Sequence, residues 1–89
     1  MLEKNITIIN KLGLHARAAA KLINTTTRYS SDIRLVKDGR EVDGKSIMSV
    51  MMLAASKGTE LTVKTHGDDQ DEALNAIEAL INNRFDEEE

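Results

Sequence analysis

Apolar and polar residues alternate in four segments of the chain, and this pattern predicts four β-strands. The segments lie at residues 2–9, 32–37, 40–42 and 60–65. The second and third are separated by Asp38-Gly39, a dipeptide typical of a two-residue hairpin turn. We therefore expect four strands with one apolar face each, two of them joined as a hairpin.

Apolar residues recur at helical spacing in three other segments, which predicts three helices. The first helix is expected from Ala16 to about Thr26, the second from Ser46 to about Ala55 with Gly58 as its stop signal, and the third after Asp68 or Asp69 as its cap. The expected buried stripes are Ala16, Ala19, Ala20 and Ile23 in the first helix, and Ala73, Leu74, Ile77, Leu80 and Ile81 in the third.

The order of these elements predicts the fold class. Strands with a single apolar face need cover on one side only, so the helices should lie together on one face of an antiparallel sheet. The prediction is an α/β (α+β) fold, an open-faced βαββαβα sandwich with a four-stranded antiparallel sheet and three helices on one face. A chain of 89 residues forms about one small domain, expected here at residues 1–85, without room for a deep enzyme cleft.

The composition limits which residue types can form the core and which cellular compartment is expected. Tyr29 and Phe85 are the only aromatic residues, so the core must be largely aliphatic. The chain has no cysteine, which excludes disulfides and thiolate metal sites and suits a reducing compartment, with the cytoplasm as the expected location. No long apolar run or signal-like N-terminus is present, so we expect neither membrane insertion nor a signal peptide.

The net charge of −3 is concentrated at the C-terminus, where residues 86–89 are four consecutive acids. The preceding 85 residues hold 12 basic and 11 acidic side chains, a net charge of +1. A nearly neutral body with two aromatics lacks the basic surface and the stacking platforms of a nucleic-acid binder. Residues 86–89 are expected to be a disordered acidic tail.

Two histidines are the side chains that ordinarily titrate near neutral pH. His66 follows the fourth strand without patterned neighbours, and we expect it to be a solvated turn residue. His15 lies where the loop after the first strand becomes the first helix, with Arg17 two residues further on. A capping or surface histidine would fit this position as well.

The start of a helix offers unpaired N–H groups and a positive field, which stabilise an anion. At His15 these groups belong to Ala16, Arg17 and Ala18. The same field opposes protonation of the imidazole, which leaves a neutral nitrogen available as a nucleophile. If that nitrogen accepted a phosphoryl group, the new charge would meet the helix start and the guanidinium of Arg17. The pattern suits a phosphohistidine.

Other chemistry finds little support in the chain. No serine, cysteine or aspartate is arranged with His15 as a hydrolytic triad, and two isolated histidines make no metal site. We expect no cofactor and no metal. A small hydrolase that uses His15 as a base would also need an activated nucleophile and a pocket.

Three blocks of the chain resemble one protein family. Lys11-Leu12-Gly13-Leu14-His15-Ala16-Arg17-Ala18-Ala19 resembles the active-site signature of HPr, the histidine-containing phosphocarriers of the phosphoenolpyruvate-dependent phosphotransferase systems. The segments 43–51 and 54–61 resemble the same family in the same order, and the likeness extends from Ile6 to about Phe85. The fold of this family is the βαββαβα sandwich predicted above.

The resemblance implies a function for His15. Phospho-enzyme I would phosphorylate its Nδ1 nitrogen, and the group would pass to an enzyme IIA domain, with Arg17 as the phosphate partner. The protein would be a phosphoryl carrier and not an independent enzyme. Most family members have proline where this chain has Ala18. Alanine is a better helix former and restores one N–H, so function should persist, while the lifetime of the phosphohistidine is the property open to change.

The second helix is apolar at every position from Ile47 to Ala55 except Ser49. All of these residues could be core. Alternatively, one face packs inward and the other forms an exposed patch, because a short helix on one sheet cannot bury its whole circumference. The inward set would be Val50, Leu53 and Ala54, and the exposed set Ile47, Met48 and Met51. In the resembled family this helix docks against enzyme I and other partners.

Ser46 has two interpretations. It is expected to be the N-cap of the second helix, a structural role that alone explains a serine there. The block 45–48 also resembles the HPr form whose serine is phosphorylated by HPr kinase/phosphorylase. In that form the added charge would hinder phosphoryl transfer to His15.

Two alternatives about the cellular role stay open at this point. The protein could be a regulatory interaction module that binds kinases, sensors or transcription regulators through the apolar helix and Ser46. Ala18 and the ending 82–87 look like proteobacterial carriers of the nitrogen-related branch, whereas the Ser46 block looks like kinase-controlled carriers. A monomer is expected.

Overall fold

A computed structural model describes residues 1–89 and contains four strands and three helices in the predicted order. The strands are β1 (Leu2–Thr7), β2 (Asp32–Lys37), β3 (Arg40–Asp43) and β4 (Glu60–His66), and the helices are α1 (Ala16–Thr26), α2 (Ile47–Met52) and α3 (Gln70–Asn82). A 3-10 turn, Arg84–Asp86, follows the last helix. None of these helices combines the length and the apolar character that crossing a bilayer requires.

The sheet has the strand order β1-β4-β2-β3, and every neighbouring pair is antiparallel. The predicted hairpin joins β2 to β3, with Asp38 at φ 51° and Gly39 at φ 81°. Positive φ at both central residues is the conformation that a two-residue turn between twisted strands requires. The predicted open-faced sandwich with an antiparallel sheet is confirmed.

The core lies between the sheet and the helices and holds 18 buried apolar side chains, all aliphatic except Phe85. Each of the larger side chains contributes about 1.5–3 kcal/mol on transfer from water. β1 is shorter than expected, yet Ile8 remains fully buried and its N–H donates to the carbonyl of Thr59 at 2.8 Å. The chain therefore continues along the core after the strand ends.

The buried face of α1 differs from the predicted stripe. Ala18, Ala19, Leu22 and Thr26 are buried, whereas Ala16 is exposed and Ala20 and Ile23 are half-buried. Alanine fits both a core and a surface, so four alanines in the first five helical positions leave the orientation of the helix undetermined. The larger Leu22 determines it, because its burial removes more apolar area from water.

The second helix ends earlier than expected, at Met52 instead of about Ala55. Ala54 adopts a left-handed conformation with φ 51° just after the helix, the position at which glycine is usual. Gly58 belongs to the following turn and does not stop the helix. The early stop leaves Ala54 exposed and turns Leu53 and Ala55 inward, so the expectation that Ala54 packs inward is wrong.

Asp69 occupies the N-cap position of α3, but its carboxylate does not cap the helix. Its oxygens accept hydrogen bonds from the backbone N–H groups of Ser30 and Ser31, both at 2.9 Å, and from the hydroxyl of Ser31. These bonds, above all that from the Ser31 hydroxyl, lower the pKa of Asp69 from 3.8 to about 2. The carboxylate thus fastens the loop before β2 to the start of α3.

Candidate functional site

His15 is the N-cap residue of α1, with an extended backbone at φ −76° and ψ 179°. Its side chain makes no capping hydrogen bond and is 28% exposed. The first helical hydrogen bond runs from the N–H of Ala19 to the carbonyl of His15 at 2.8 Å. The three preceding N–H groups therefore have no acceptor inside the helix, as the sequence predicted for Ala16, Arg17 and Ala18.

Gly13 places the loop that carries His15. Its φ is 67°, and a Cβ at this position would lie 2.6 Å from the carbonyl oxygen of Ala55. The neighbouring N–H of Leu14 donates to that same oxygen at 2.8 Å. Only glycine combines the left-handed backbone with so close an approach. The start of α1 is in this way joined to the loop that follows α2.

An open groove of about 860 Å³ lies beside His15, and its lining is mostly charged. Basic side chains come from the loop and α1, and acidic ones from the C-terminus. The lining consists of Lys11, Leu12, His15, Ala16, Arg17, Lys21, Asp86, Glu87, Glu88 and Glu89. Two of the cations are paired, Lys11 with Glu89 at 3.3 Å and Lys21 with Asp86 at 3.8 Å. Arg17 forms no ion pair, so its charge is available to an incoming anion.

Glu87 contacts His15 directly, an arrangement that differs from the solvated tail expected at residues 86–89. One carboxylate oxygen of Glu87 is hydrogen-bonded to Nε2 of His15, and the other accepts from Nδ2 of Asn10 at 2.9 Å. The pKa of Glu87 lies below its ordinary value, chiefly because of the hydrogen bond from Asn10, with the contact to His15 acting in the same direction. Desolvation opposes both effects.

Phe85 anchors the segment that carries Glu87. Its ring is fully buried, and the backbone around it is left-handed at three successive residues, Arg84, Phe85 and Asp86. Such a turn costs about 1–2 kcal/mol per residue, so burial of the ring has to offset it. Lys21 adds a hydrogen bond from Nζ to the carbonyl of Phe85 at 2.9 Å. The chain then passes over the start of α1.

Asn10 and Glu87 are site residues that no local sequence pattern indicates. Asn10 is fully buried, and its Nδ2 also donates to the carbonyl of Gly13 at 2.8 Å. A polar residue between an apolar strand and a glycine turn reads as part of the turn, which conceals its contact with the C-terminus. The isolated aromatic Phe85, just before the acidic run, was the one signal in the sequence that the end of the chain returns to the body.

The two alternatives for α2 are decided in favour of an exposed face. Val50 and Leu53 are buried, whereas the side chains of Ile47, Met48, Met51 and Met52 are exposed by 38–69%. The exposed set contains the three predicted residues together with Met52, which was not assigned. We call these four residues the α2 patch. A contiguous apolar helix face open to water is typical of an interaction surface.

Ser46 caps α2 as predicted. Its Oγ accepts a hydrogen bond from the N–H of Ser49 at 3.3 Å. The neighbouring Lys45 reaches away from it, with Nζ donating to the carbonyl of Tyr29 at 2.7 Å. The hydroxyl of Ser46 therefore already has a structural role.

His66 lies far from these groups, at the exposed end of β4 opposite Asp32. No three histidine, cysteine, aspartate or glutamate side chains come together in a way that could hold a metal ion. The site at α1 is thus built from a histidine, a free guanidinium, unpaired helix N–H groups and an acidic segment.

Comparisons with known proteins agree with this geometry. A family model described as the PTS HPr component phosphorylation site matches residues 2–83. The phosphocarrier protein HPr of Pseudomonas aeruginosa is 62% identical over 85 residues, which cover 94% of each chain. The solved structure of HPr-C-His from Thermoanaerobacter tengcongensis has a TM-score of 0.97 and 44% identity over 100% of both chains. An HPr dimer from the same organism has a TM-score of 0.79 at 44% identity, covering 98% of this chain and 100% of that one. The chain therefore belongs to the HPr family and is a phosphocarrier protein of the phosphotransferase system, not an enzyme.

Proposed function

We propose that His15 accepts a phosphoryl group from phospho-enzyme I and passes it to an enzyme IIA domain. The observation that carries this proposal is the start of α1, where an uncapped histidine stands beside unpaired N–H groups and the unpaired Arg17. A phosphoryl group on the imidazole would add about 1.5–2 negative charges, judged by other phosphorylated side chains. The helix start and the guanidinium both favour charge of that sign.

Each residue of the site has a distinct part in this proposal. A nitrogen of His15 is the nucleophile. The backbone N–H groups of Ala16, Arg17 and Ala18 donate hydrogen bonds to the phosphoryl oxygens. The guanidinium of Arg17 supplies the compensating charge. Transfer forms a nitrogen–phosphorus bond on His15 and breaks the corresponding bond on the donor, whose nitrogen keeps the electron pair. Catalytic assistance comes from the partner proteins, since the carrier has only this open groove.

The direct test is phosphorylation by phosphoenolpyruvate and enzyme I. We expect an acid-labile phosphate on the wild-type protein and on His66→Ala, and none on His15→Ala. Loss of labelling in both histidine variants would indicate misfolding, which circular dichroism would reveal. Retained labelling of a folded His15→Ala protein would contradict the assignment.

The α2 patch is proposed as the surface that meets enzyme I and the acceptor domain. Apolar contact with flexible methionines suits a carrier that has to fit more than one partner. We expect Met48→Asp to slow phosphoryl transfer from enzyme I while the free energy of unfolding changes by less than about 0.5 kcal/mol, as for other surface substitutions. Asn75→Asp is the control, because it adds the same charge at an exposed position of α3 outside the patch. A strongly destabilised Met48→Asp protein would instead assign this side chain to the core.

Regulation at Ser46 is a separate proposal. The hydroxyl is half-exposed at the start of the helix that carries the α2 patch, so a phosphate there would place negative charge beside the docking surface. Incubation with HPr kinase/phosphorylase and ATP should modify the wild-type protein and Ser49→Ala, but not Ser46→Ala. If mass mapping finds Ser46 unmodified, the cap is its only role.

A second candidate function is a regulatory interaction module whose phosphorylation state controls kinases or transcription regulators. The exposed α2 patch favours it, since such a surface can bind partners that take no phosphate. The two functions can coexist in one protein, and a monomer serves both. Partners that bind equally well to the wild-type protein and to His15→Ala would identify this second role.

A further inference from the structure

We propose that Glu87 is a positioning residue for His15: it holds the imidazole in the tautomer with the proton on Nε2 and thereby makes Nδ1 the nucleophile. This inference deepens the proposed function and rests on it. It assigns a role to a side chain 72 residues away from the histidine along the sequence. Some atoms in the site can donate a hydrogen bond and others can only accept one, and this difference determines the tautomer.

The orientation of Asn10 is determined by its surroundings. Its Nδ2 donates both to the carbonyl of Gly13 at 2.8 Å and to Glu87 Oε1 at 2.9 Å. Both partners are acceptors, so an exchanged amide would point its oxygen at two other oxygens. Asn10 is fully buried, and its Oδ1 has no partner in the present orientation. The present orientation of Asn10 is the more stable one, because two hydrogen bonds donated by its buried Nδ2 outweigh one hydrogen bond accepted by Oδ1.

The orientation of the Asn10 amide in turn determines which ring nitrogen of His15 carries the proton. With Oε1 of Glu87 engaged by Asn10, the other oxygen faces Nε2 of His15. An ionised carboxylate has no proton to donate, so Nε2 has to be the N–H donor. In a neutral imidazole the proton is then absent from Nδ1, which carries the lone pair. The lowered pKa of Glu87 supports the ionised state.

A carboxylate is the side-chain group that meets both demands at once. It presents two acceptor oxygens, one for Asn10 and one for His15, whereas a glutamine presents one oxygen and one NH₂. In Glu87→Gln, an oxygen turned to Asn10 would leave an NH₂ against the ring, which favours a lone pair on Nε2 and the proton on Nδ1. The alternative orientation would set two NH₂ groups against each other. The substitution therefore changes the tautomer with little change in shape.

The contact between Glu87 and His15 also compensates the positive charge that the imidazole ring gains during the proposed transfer. The Nδ1 lone pair attacks phosphorus, the nitrogen–phosphorus bond forms, and the donor nitrogen leaves with the electron pair of the bond that breaks. The ring of His15 becomes cationic, with phosphorus on Nδ1 and the proton still on Nε2. The carboxylate of Glu87 compensates this charge, and the guanidinium of Arg17 faces the phosphoryl group. No proton has to move within the site.

The position of Glu87 is held by groups other than its bond to the ring. Phe85 is fully buried two residues earlier, and the N–H of Lys11 donates to the carbonyl of Glu89 at 2.5 Å two residues later. The segment thus crosses the groove between two attachment points. Its carboxylate has a side-chain exposure of 16%, compared with 71% for that of Glu89. A partly buried carboxylate orients a ring better than a solvated one, because less water competes for its oxygens.

The first test reads the tautomer itself and needs no phosphoryl transfer. Long-range ¹H–¹⁵N spectra of the unphosphorylated protein, recorded at a pH where imidazole is neutral, distinguish a protonated Nε2 from a protonated Nδ1. We expect His15 of the wild type to be protonated on Nε2, and Glu87→Gln to show a substantial fraction protonated on Nδ1. Glu3→Gln, which removes the same charge from an exposed residue of β1 that lies outside the groove and whose side chain forms no hydrogen bond or ion pair, should match the wild type.

The second test measures transfer from enzyme I to the same three proteins. Loss of outer groups that orient a functional histidine commonly reduces activity by about 10–100-fold in metal sites, and we expect a slowing of at least about tenfold for Glu87→Gln. Glu3→Gln should transfer at the wild-type rate, and thermal unfolding should show all three proteins folded. A wild-type His15 protonated on Nδ1, or a Glu87→Gln protein with unchanged tautomer or unchanged rate, would overturn the proposal. Absence of any phosphate on wild-type His15 would instead reject the proposed function, whatever the tautomer.

Discussion

The starts of α1 and α2 are two helix ends of the same molecule with opposite chemistry. At α1 the N-cap residue is His15, which makes no capping bond and leaves the helix N–H groups unpaired. At α2 the N-cap residue is Ser46, whose hydroxyl already accepts from the N–H of Ser49 at 3.3 Å. The α1 start has a free guanidinium and a carboxylate directed at the imidazole. The difference shows that two helix starts in one fold can differ in available donors: the N–H groups at α1 remain open to an anion, whereas the cap at α2 already occupies one.

The two helix starts also differ in how far they depend on contacts with the rest of the chain. His15 depends on Gly13, Asn10 and the C-terminal segment, all brought to it by tertiary packing. Ser46 depends mainly on its own first helical turn. The α1 site should therefore respond to distant changes that leave the α2 cap intact.

The largest effect is expected from Phe85→Ala, which removes the anchor of the C-terminal segment. Removing a fully buried phenylalanine destabilises a protein by about 3–5 kcal/mol. We expect a loss of this size in the free energy of unfolding by urea. In the folded fraction, NMR shifts of His15 should change while those of Ser46 and Ser49 do not.

Leu80→Ala is the control for this experiment, because it shortens an apolar side chain of α3 that is only half-buried. It should destabilise less and leave the shifts of His15 in place. Equal changes at both helix starts in Phe85→Ala would mean that the α2 cap also depends on the C-terminus, contrary to the comparison.

A smaller effect is expected from Ser46→Ala. Loss of an N-cap hydroxyl costs about 1 kcal/mol, so the free energy of unfolding should fall by that amount. His15→Ala has no capping bond to lose and should change stability by less than about 0.5 kcal/mol. Urea unfolding of both variants checks the contrast, and an equal loss in the two proteins would contradict it.

The smallest effect is expected at the start of α3, in the dependence of stability on pH. The pKa of Asp69 is lowered from 3.8 to about 2 by the bonds from Ser31 and Ser30. A depressed folded-state pKa stabilises the protein above the unfolded-state value, and this stabilisation is lost as the pH falls from about 4 towards 2. Asp69→Asn should thus have a lower Tm than the wild type at pH 7, and the difference should shrink near pH 2.

Asp68→Asn is the matched control for this measurement, since Asp68 is exposed and forms no hydrogen bond or ion pair. Its Tm should follow that of the wild type across the whole range. A difference between Asp69→Asn and the wild type that stays constant down to pH 2 would show that the contacts with Ser30 and Ser31 do not depend on the charge.

The strands and the order of the helices were predictable because local pattern and tertiary environment agree there. Alternation in β2 and β4 places Ile33, Leu35 and Leu61 in the core without further information. The end of α2 was not predictable, since the left-handed residue is Ala54, which carries no sequence signal of that conformation. The face of α1 was ambiguous because alanine tolerates both environments.

The candidate site likewise contains some residues that the sequence predicts and others that it does not. His15 and Arg17 could be found because a helix start is a local feature of the sequence. The link from Asn10 through Glu87 could not, because it joins residues 77 positions apart and depends on burial of Phe85. A run of acids at the end of a chain reads as solvated unless something before it is known to be packed.

The close approach of Gly13 to Ala55 has a consequence for how partners find the histidine. The bond from Leu14 to Ala55 connects the loop before α1 to the loop after α2, so His15 and the α2 patch keep a fixed separation. Under the proposed function, a protein that binds the patch would have its reactive group aligned with the imidazole, and the transfer would proceed as if within a single molecule. Partners with different folds could then share this carrier if each one reproduced the same distance between an apolar contact and a reactive atom.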